Sequence, residues 1–218
     1  MLVIFDFDGT LCDTRSTIVT TMRRTMEEMS IEVATEERCA STIGLKLADC
    51  FRAIYPDMTE ERAEECATTY RRIFEESKRA IKPGLFPHVY ETIVKLVEAG
   101  HRISIASSRS EKSLREFVEE TGLEGKICYV VGADNVEKAK PDPEPVLKTL
   151  AALGEEAENA IVVGDMPVDI IMGQRAGVRT IGVTYGNSSR EELEGAGAEW
   201  VVDDIATVVG IVESIGGR

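Results

Sequence analysis

The feature that most narrows how this chain can fold is a repeated alternation of short Val/Ile-rich runs with amphipathic helical patterns. The runs are Leu2–Asp6, Arg102–Ser107, Ile127–Val131, Ala160–Gly164 and Thr180–Val183, with Glu199–Val202 as a weaker sixth. Several are almost continuously apolar, as expected of strands covered on both faces. Between them, Val89, Ile93, Leu96 and Val97 repeat at helical spacing before Gly100. Val146, Leu147, Leu150 and Leu153 do the same before Gly154, and residues 168–176 run to a stop at Gly177. Helices with one apolar stripe between buried strands predict a parallel sheet joined by right-handed crossovers.

One interval departs from the alternation. From about Thr14 to Ile81 no strand pattern occurs. Ile18, Val19, Met22, Met26 and Met29 mark one amphipathic helix, and Ala63, Ala67, Tyr70, Ile73 and Phe74 mark another. These Met and aromatic stripes read as core faces. The expected organisation is therefore α/β: a core with a parallel sheet and a small helical domain inserted after the first strand. The core is assigned to residues 1–14 and 82–218, the helical insert to residues 15–81.

The chain has 218 residues, room for one α/β domain with a smaller module inserted in it. Apolar residues make up 43% and charged residues 29%, enough for a packed core and against disorder. Acidic residues outnumber basic ones 39 to 25, a formal charge of −14. Such a surface repels nucleic acid and anionic membrane, so neither is expected as a partner. It repels an anionic substrate too, so a phosphate site here needs local countercharge. The five cysteines, at 12, 39, 50, 66 and 128, are odd in number and form no Cys-x-x-Cys. They argue against a disulfide framework or zinc site and are expected as small buried side chains in a reducing compartment. No targeting signal or run of membrane-spanning length is visible, so the chain reads as cytoplasmic.

Four clusters carry groups suited to chemistry. The first strand runs into Asp6-Phe7-Asp8-Gly9-Thr10. Strand alternation puts Asp6 and Asp8 on one side at the strand's C-terminal end, where two close carboxylates call for a cation or a shared proton. The same Asp-Gly pair equally suits a hairpin turn. Val163-Gly164-Asp165-Met166-Pro167-Val168-Asp169 ends a buried strand in one carboxylate and puts a second in the next helical turn, where it could simply cap. Ser107-Ser108-Arg109-Ser110 follows the second strand, offering hydroxyls and amides at a helix start. Lys140 precedes Pro141-Asp142-Pro143; alone it could be a solvated lysine. In open α/β sheets, ligands bind beyond the carboxyl ends of strands at the point where strand order reverses. A strand order of 3-2-1-4-5 would bring all four clusters together there.

In this order, Asp6-Phe7-Asp8-Gly9-Thr10, Ser107, Lys140 and Gly164-Asp165 through Asp169 resemble the four motifs of the haloacid dehalogenase superfamily, over nearly the whole chain. The helical insert after the first motif is similar to the cap of its phosphoglycolate phosphatase-like subfamily, and the resemblance implies an α/β fold: a three-layer, Rossmann-like core with its parallel sheet in the order 3-2-1-4-5 and residues 15–81 as an inserted helical cap domain. Ser108 stands where many relatives have Asn, and Met166-Pro167 where many have Thr and a variable residue.

The resemblance implies a Mg²⁺-dependent phosphatase acting on a small phosphorylated metabolite, of phosphoglycolate or sugar-phosphate type, as a monomer or homodimer. Asp6 would be the nucleophile that becomes an aspartyl-phosphate, and Asp8 the general acid and then base. The metal set would be Asp6, Asp8 through its backbone carbonyl, Asp165 and Asp169, the last through a water. Ser107 and Lys140 would hold phosphate oxygens, with the backbone amides near Gly9 and Ser108 as further donors. Arg15, Lys46 and Arg52 are expected near substrate, with Ile43-Gly44-Leu45-Lys46 as the cap loop that meets it. An inorganic pyrophosphatase is the sibling alternative. A β-phosphoglucomutase-type mutase is disfavoured, because Ile18, Ile43 and Leu47 stand where such relatives carry His, Lys and Arg. A non-catalytic phospho-ligand binding protein would not need the second carboxylate, Asp8.

Overall fold

The computed structural model describes residues 1–77 and 84–216. Its strands are β1 Leu2–Phe5, β2 Arg102–Ala106, β3 Ile127–Val131, β4 Ala160–Gly164, β5 Arg179–Val183 and β6 Trp200–Val202. Every pairing is parallel and the sheet order is β3-β2-β1-β4-β5-β6. The expected five-strand order is present, and the weak sixth run extends it at the β5 edge. In register, Phe5 of β1 lies between Ile105 of β2 and Val163 of β4. The chain following each of those three strands therefore emerges at one end of the sheet. The Asp-Gly sequence after β1 makes a tight turn, with the Gly9 amide donating to the Cys12 carbonyl, but not a hairpin: β1 has parallel partners on both sides.

Strand alternation divides the interior in two. Val3, Phe5, Ile103, Ile105, Ile161 and Val163 face one side, where α5 (Val89–Glu98), α6 (Glu111–Glu120) and α10 (Thr207–Gly216) pack. Leu2, Ile4, Ala160 and Val162 face the other, against α7 (Glu144–Leu153) and α8 (Pro167–Arg175). Helix, sheet and helix make three layers. Leu2, Ile4, Phe5 and Ile103 are fully buried, and each such side chain stabilises the fold by about 1.5–3 kcal/mol relative to an exposed position. The short helix α9 (Arg190–Gly195) packs on β5 and β6.

Between β1 and α5 the chain forms α1 (Arg15–Glu28), α2 (Glu36–Ala40), α3 (Leu47–Ile54) and α4 (Glu60–Ser77). α1 packs on α4, and α3 on α4. The buried face of α1 is Val19, Met22 and Met26 with three threonines, while Ile18 is turned toward the cavity described below. That of α4 is Ala63, Cys66, Ala67, Tyr70, Ile73 and Phe74. The two short helices α2 and α3 have no counterpart in the periodicity, which is too brief there to register. The return boundary expected at residues 81 and 82 lies outside the described residues.

The cysteines are all free, and four are buried. Cys128 corrects the expectation, because it lies exposed on the edge strand β3. Among the described residues, no helix is long and apolar enough to cross a membrane.

Candidate active site

Asp6 is the first residue beyond β1, and its amide donates to the Val163 carbonyl of β4. Asp165 is the first beyond β4, and Asp169 sits in the first turn of α8. Oxygens of these three buried carboxylates lie within 4.8 Å of one another. Gly164 allows this approach, since a Cβ there would stand 2.3 Å from that of Asp169. Pro167 opens α8 at the position where a missing N–H costs nothing. Asp169 caps the same helix, its Oδ2 accepting the Met166 amide at 3.1 Å, and so keeps Oδ1 for the cluster. Capping and clustering are both real at this residue.

Lys140 enters from the segment after β3. Its ammonium is buried and donates to Asp6 Oδ1 at 2.7 Å and to Asp169 Oδ1 at 2.6 Å. Burial alone would lower its pKa, but Asp169 and Asp6 hold it above the ordinary value. Its charge is fixed, and the reading of a solvated lysine falls away. One ammonium against three carboxylates leaves negative charge in excess. Burial pushes the Asp6 carboxyl well up, a shift opposed by Lys140 and reinforced by Asp169 and Asp165. Burial and then Asp169 push Asp165 up to about 7, against the hydrogen bonds it receives. A cluster of hard oxygens short of positive charge, with room for a small ion between them, fits a divalent cation of the Mg²⁺ type.

Asp165 is held on both oxygens. Thr10 Oγ1 donates to Oδ1 at 2.8 Å, while the Asn187 amide and Nδ2 donate to Oδ2 at 2.8 and 2.9 Å. Asn187 lies in the loop after β5 and reaches Asp165 because Gly186 precedes it. A Cβ on Gly186 would stand 2.4 Å from both Asp165 and the Gly9 carbonyl. Gly9 itself has φ +91° and passes too close to Asp165 and Asn187 for any side chain.

Asp8 points elsewhere. Both its oxygens accept from Arg109, Nε to Oδ2 at 3.1 Å and Nη2 to Oδ1 at 2.5 Å. Its carboxylate is outside the three-acid cluster, so any metal contact from Asp8 falls to its backbone carbonyl. Ser107 is buried at the end of β2, and its hydroxyl accepts the Arg109 amide at 3.3 Å. Ser108 Oγ donates to the Gly44 carbonyl at 2.6 Å. The Ser108 hydroxyl thus bridges the two layers, and the loop Ile43–Lys46 is brought over the site.

A cavity of about 700 Å³ lies between the helical insert and the sheet end, with Asp6, Asp8 and Ser107 on one wall and Tyr70 and Phe74 on the other. Lys46 and Arg52 line it, and Arg71 joins them. Arg15 is not among the lining residues; its Nη1 donates to Asn187 Oδ1 at 3.3 Å. It touches the residue that holds Asp165 rather than the cavity. Cys12, beside the first motif, donates its thiol to the Gly84 carbonyl, and burial pushes its pKa up to about 12. A neutral, bonded thiol has no nucleophilic part here. Sequence reasoning missed Arg109 and Asn187. Asn187 follows the C-terminal end of a strand, a position that could have drawn notice. Arg109 stood inside a cluster already singled out, but nothing local distinguishes a buried arginine from a solvated one.

The sequence profile of the haloacid dehalogenase-like hydrolases matches residues 3–183. A Dickeya dadantii protein named "Probable phosphatase IndB" is 34% identical over 98% of this chain and 94% of its own length. The Oceanobacillus iheyensis protein named "Pyrophosphatase PpaX" is 31% identical over 96% of this chain and 95% of its own. A crystal structure of a Bacteroides fragilis protein named "Putative haloacid dehalogenase-like hydrolase" superposes with a TM-score of 0.90 at 26% identity, covering 95% of this chain and 98% of that one.

Proposed function

The chain belongs to the haloacid dehalogenase-like hydrolase family, and on that premise we propose that it is a Mg²⁺-dependent phosphatase hydrolysing a small organic phosphomonoester through an aspartyl-phosphate on Asp6. The observation that carries this reading is the meeting of Asp6, Asp165, Asp169 and Lys140 at the end of β1. Those residues are 25 or more positions apart except within the last motif, and together they supply a nucleophile, a cation site and a fixed positive charge. Relatives named as phosphatases support the reaction class.

On this reading each residue has a role with which the geometry is consistent. Lys140 holds Asp6 Oδ1 and leaves Oδ2 to attack phosphorus. The P–O ester bond breaks, and the departing oxygen takes a proton from Asp8. Water then attacks the aspartyl-phosphate, giving its proton to Asp8 and releasing inorganic phosphate and the Asp6 carboxylate. Asp6, Asp165, Asp169 and the Asp8 carbonyl would hold the metal, which when bound supplies charge neutralisation for the phosphoryl oxygens. Ser107 and Lys140 bind those oxygens. The helices of residues 15–81 act as the cap that excludes water during attack.

A second reading, hydrolysis of inorganic pyrophosphate, is favoured by the name of the Oceanobacillus relative. The cavity of about 700 Å³, with Tyr70 and Phe74 in its wall, favours an organic leaving group, because pyrophosphate would leave most of it empty. Phosphate release from p-nitrophenyl phosphate, with Mg²⁺ and with chelator, tests the class. Activity is expected only with the metal, and Asp6→Asn should lose it by a factor of about 10³ or more. An Asp6→Asn protein as active as the parent would overturn the assignment. A panel of phosphorylated metabolites alongside pyrophosphate, ranked by kcat/KM, then separates the two substrates.

A further inference from the structure

The helical insert presents one polar atom of a buried side chain to the cavity without giving it a partner. Tyr70 lies on the buried face of α4 and is only 8% exposed. Its ring stacks on that of Phe74, one turn further along the helix, with centroids 6.1 Å apart and planes at 11°. Phe74 in turn lies 5.2 Å from the Arg109 guanidinium carbon. The Tyr70 ring is thereby fixed in the cavity wall that faces Asp6, Asp8 and Ser107. Among the described residues its hydroxyl has no hydrogen-bond partner. The unpaired polar atoms wholly sealed from solvent are Thr14 Oγ1, Arg23 Nε and Ser104 Oγ. The Tyr70 hydroxyl is not one of them, so it keeps access, and the space that this side chain lines is the cavity. Burial pushes the phenol's pKa above its ordinary value, so it stays protonated and can both donate and accept. The buried cations nearby are already engaged, Lys140 by Asp6 and Asp169 and Arg109 by Asp8. Arg52 and Arg71 also line the cavity, but both are exposed.

We propose that Tyr70 is a substrate-binding residue that selects a hydroxylated leaving group, its Oη bonding a hydroxyl on the alcohol portion of the phosphate ester. Native structures leave few buried polar groups unpaired, because such a group has lost water without replacement. A substrate oxygen in the cavity restores the missing bond. Ile18 and Phe74 line the same cavity, so the hydroxyl is a polar point beside apolar surface, the arrangement that fixes how a ligand is turned. The opposite wall, with Ser107, meets the phosphoryl group, which leaves the alcohol portion to the insert. A carboxylate on the leaving group would call for a buried cation still free to pair, whereas a neutral phenol matches a hydroxyl. Tyr70 makes and breaks no bond to phosphorus. It discriminates, because a site built to pair a substrate hydroxyl rejects the analogue that lacks it.

The inference rests on the phosphatase reading, and the test separates the two. Glycerol 1-phosphate, ribose 5-phosphate and glucose 6-phosphate carry hydroxyls on the leaving group. Phenyl phosphate carries none, and 2-phosphoglycolate carries a carboxylate. kcat/KM for each ester, with Mg²⁺, is compared between the parent protein and Tyr70→Phe, which keeps the ring and removes only the hydroxyl. For the best hydroxylated ester, its kcat/KM relative to phenyl phosphate should fall about tenfold in the variant. The melting temperature without substrate should not fall, because the hydroxyl has no partner inside the protein to lose. An unchanged ratio overturns this inference alone. So does a loss that falls on 2-phosphoglycolate instead of the hydroxylated esters, or a melting temperature lower by several degrees, which would give the hydroxyl a structural role. A parent protein that releases phosphate from none of these esters removes the phosphatase reading and this inference together.

Discussion

Asn187 shows how much of a catalytic centre can hang on one uncharged side chain. Its Nδ2 and amide both hold Asp165 Oδ2, and its own Oδ1 accepts from Arg15 at the start of α1. Asp165 is thereby turned with a defined edge toward Asp6. In Asn187→Ala the backbone bond survives and the side-chain bond does not. Residues that orient a metal ligand typically change affinity by about 10–100-fold when removed. Asn187→Ala should therefore weaken Mg²⁺ binding by a factor in that range, read by calorimetric titration of the metal without any substrate. Unchanged binding would mean that Thr10 and the amide suffice. Among the residues expected near substrate, Arg15 contacts this asparagine, which ties the start of the helical insert to the carboxylate cluster at the end of the sheet.

At the scale of elements, the site depends on loops that leave the strand ends and on the helices that anchor them. The loop after β5 carries Gly186 and Asn187 and is anchored by α9. Ser189 caps that helix: its Oγ accepts the Glu192 amide, while the Glu192 carboxylate accepts the Ser189 amide. This reciprocal pair satisfies two donors that the helix end would otherwise leave open. Ser189→Ala should cost about 0.5–2 kcal/mol. In a chain of this length that is a fall of roughly 1–8 °C in melting temperature by calorimetry. α9 has only 6 residues, so a melting point unmoved by the change would mean that packing of Leu193 against the sheet, not the cap, fixes the loop. The helix α6 begins in the same way at Ser110, whose Oγ accepts from Ser113, directly beside the residues that hold Asp8.

For the molecule as a whole, the carboxylate cluster is a local expense of stability that a cation would offset. Asp6, Asp165 and Asp169 are buried with one lysine between them, and any ligand that binds the folded state alone stabilises it by mass action. At a Mg²⁺ concentration of about 100 times Kd the gain is about 2.7 kcal/mol. The melting temperature should rise by several degrees on adding Mg²⁺ and fall back with chelator. Asp165→Asn, which removes one of the converging charges, should blunt the response. An equal rise in that variant would place the ion elsewhere on this acidic molecule, whose net charge is −14.

Residue patterns by themselves determined the alternation of strand and helix, the helical insert after β1, and the set of carboxylates, serine and lysine that meet beyond the sheet. The physical reason is local: side-chain periodicity follows from strand and helix geometry, and the carboxyl ends of parallel strands lie together along one side of an open sheet. The tertiary structure decided which way each group faces. Asp6 and Asp8 are two residues apart, yet one turns to Lys140 and the other to Arg109. Ser108 bonds the Gly44 carbonyl of the insert, and Arg15 reaches Asn187, 172 positions away. Cys128 is exposed because its strand lies at the sheet edge. Orientation of this kind depends on partners remote in the chain and on burial, which sets the cost of leaving a charge unpaired. Neither is encoded in spacing along the sequence.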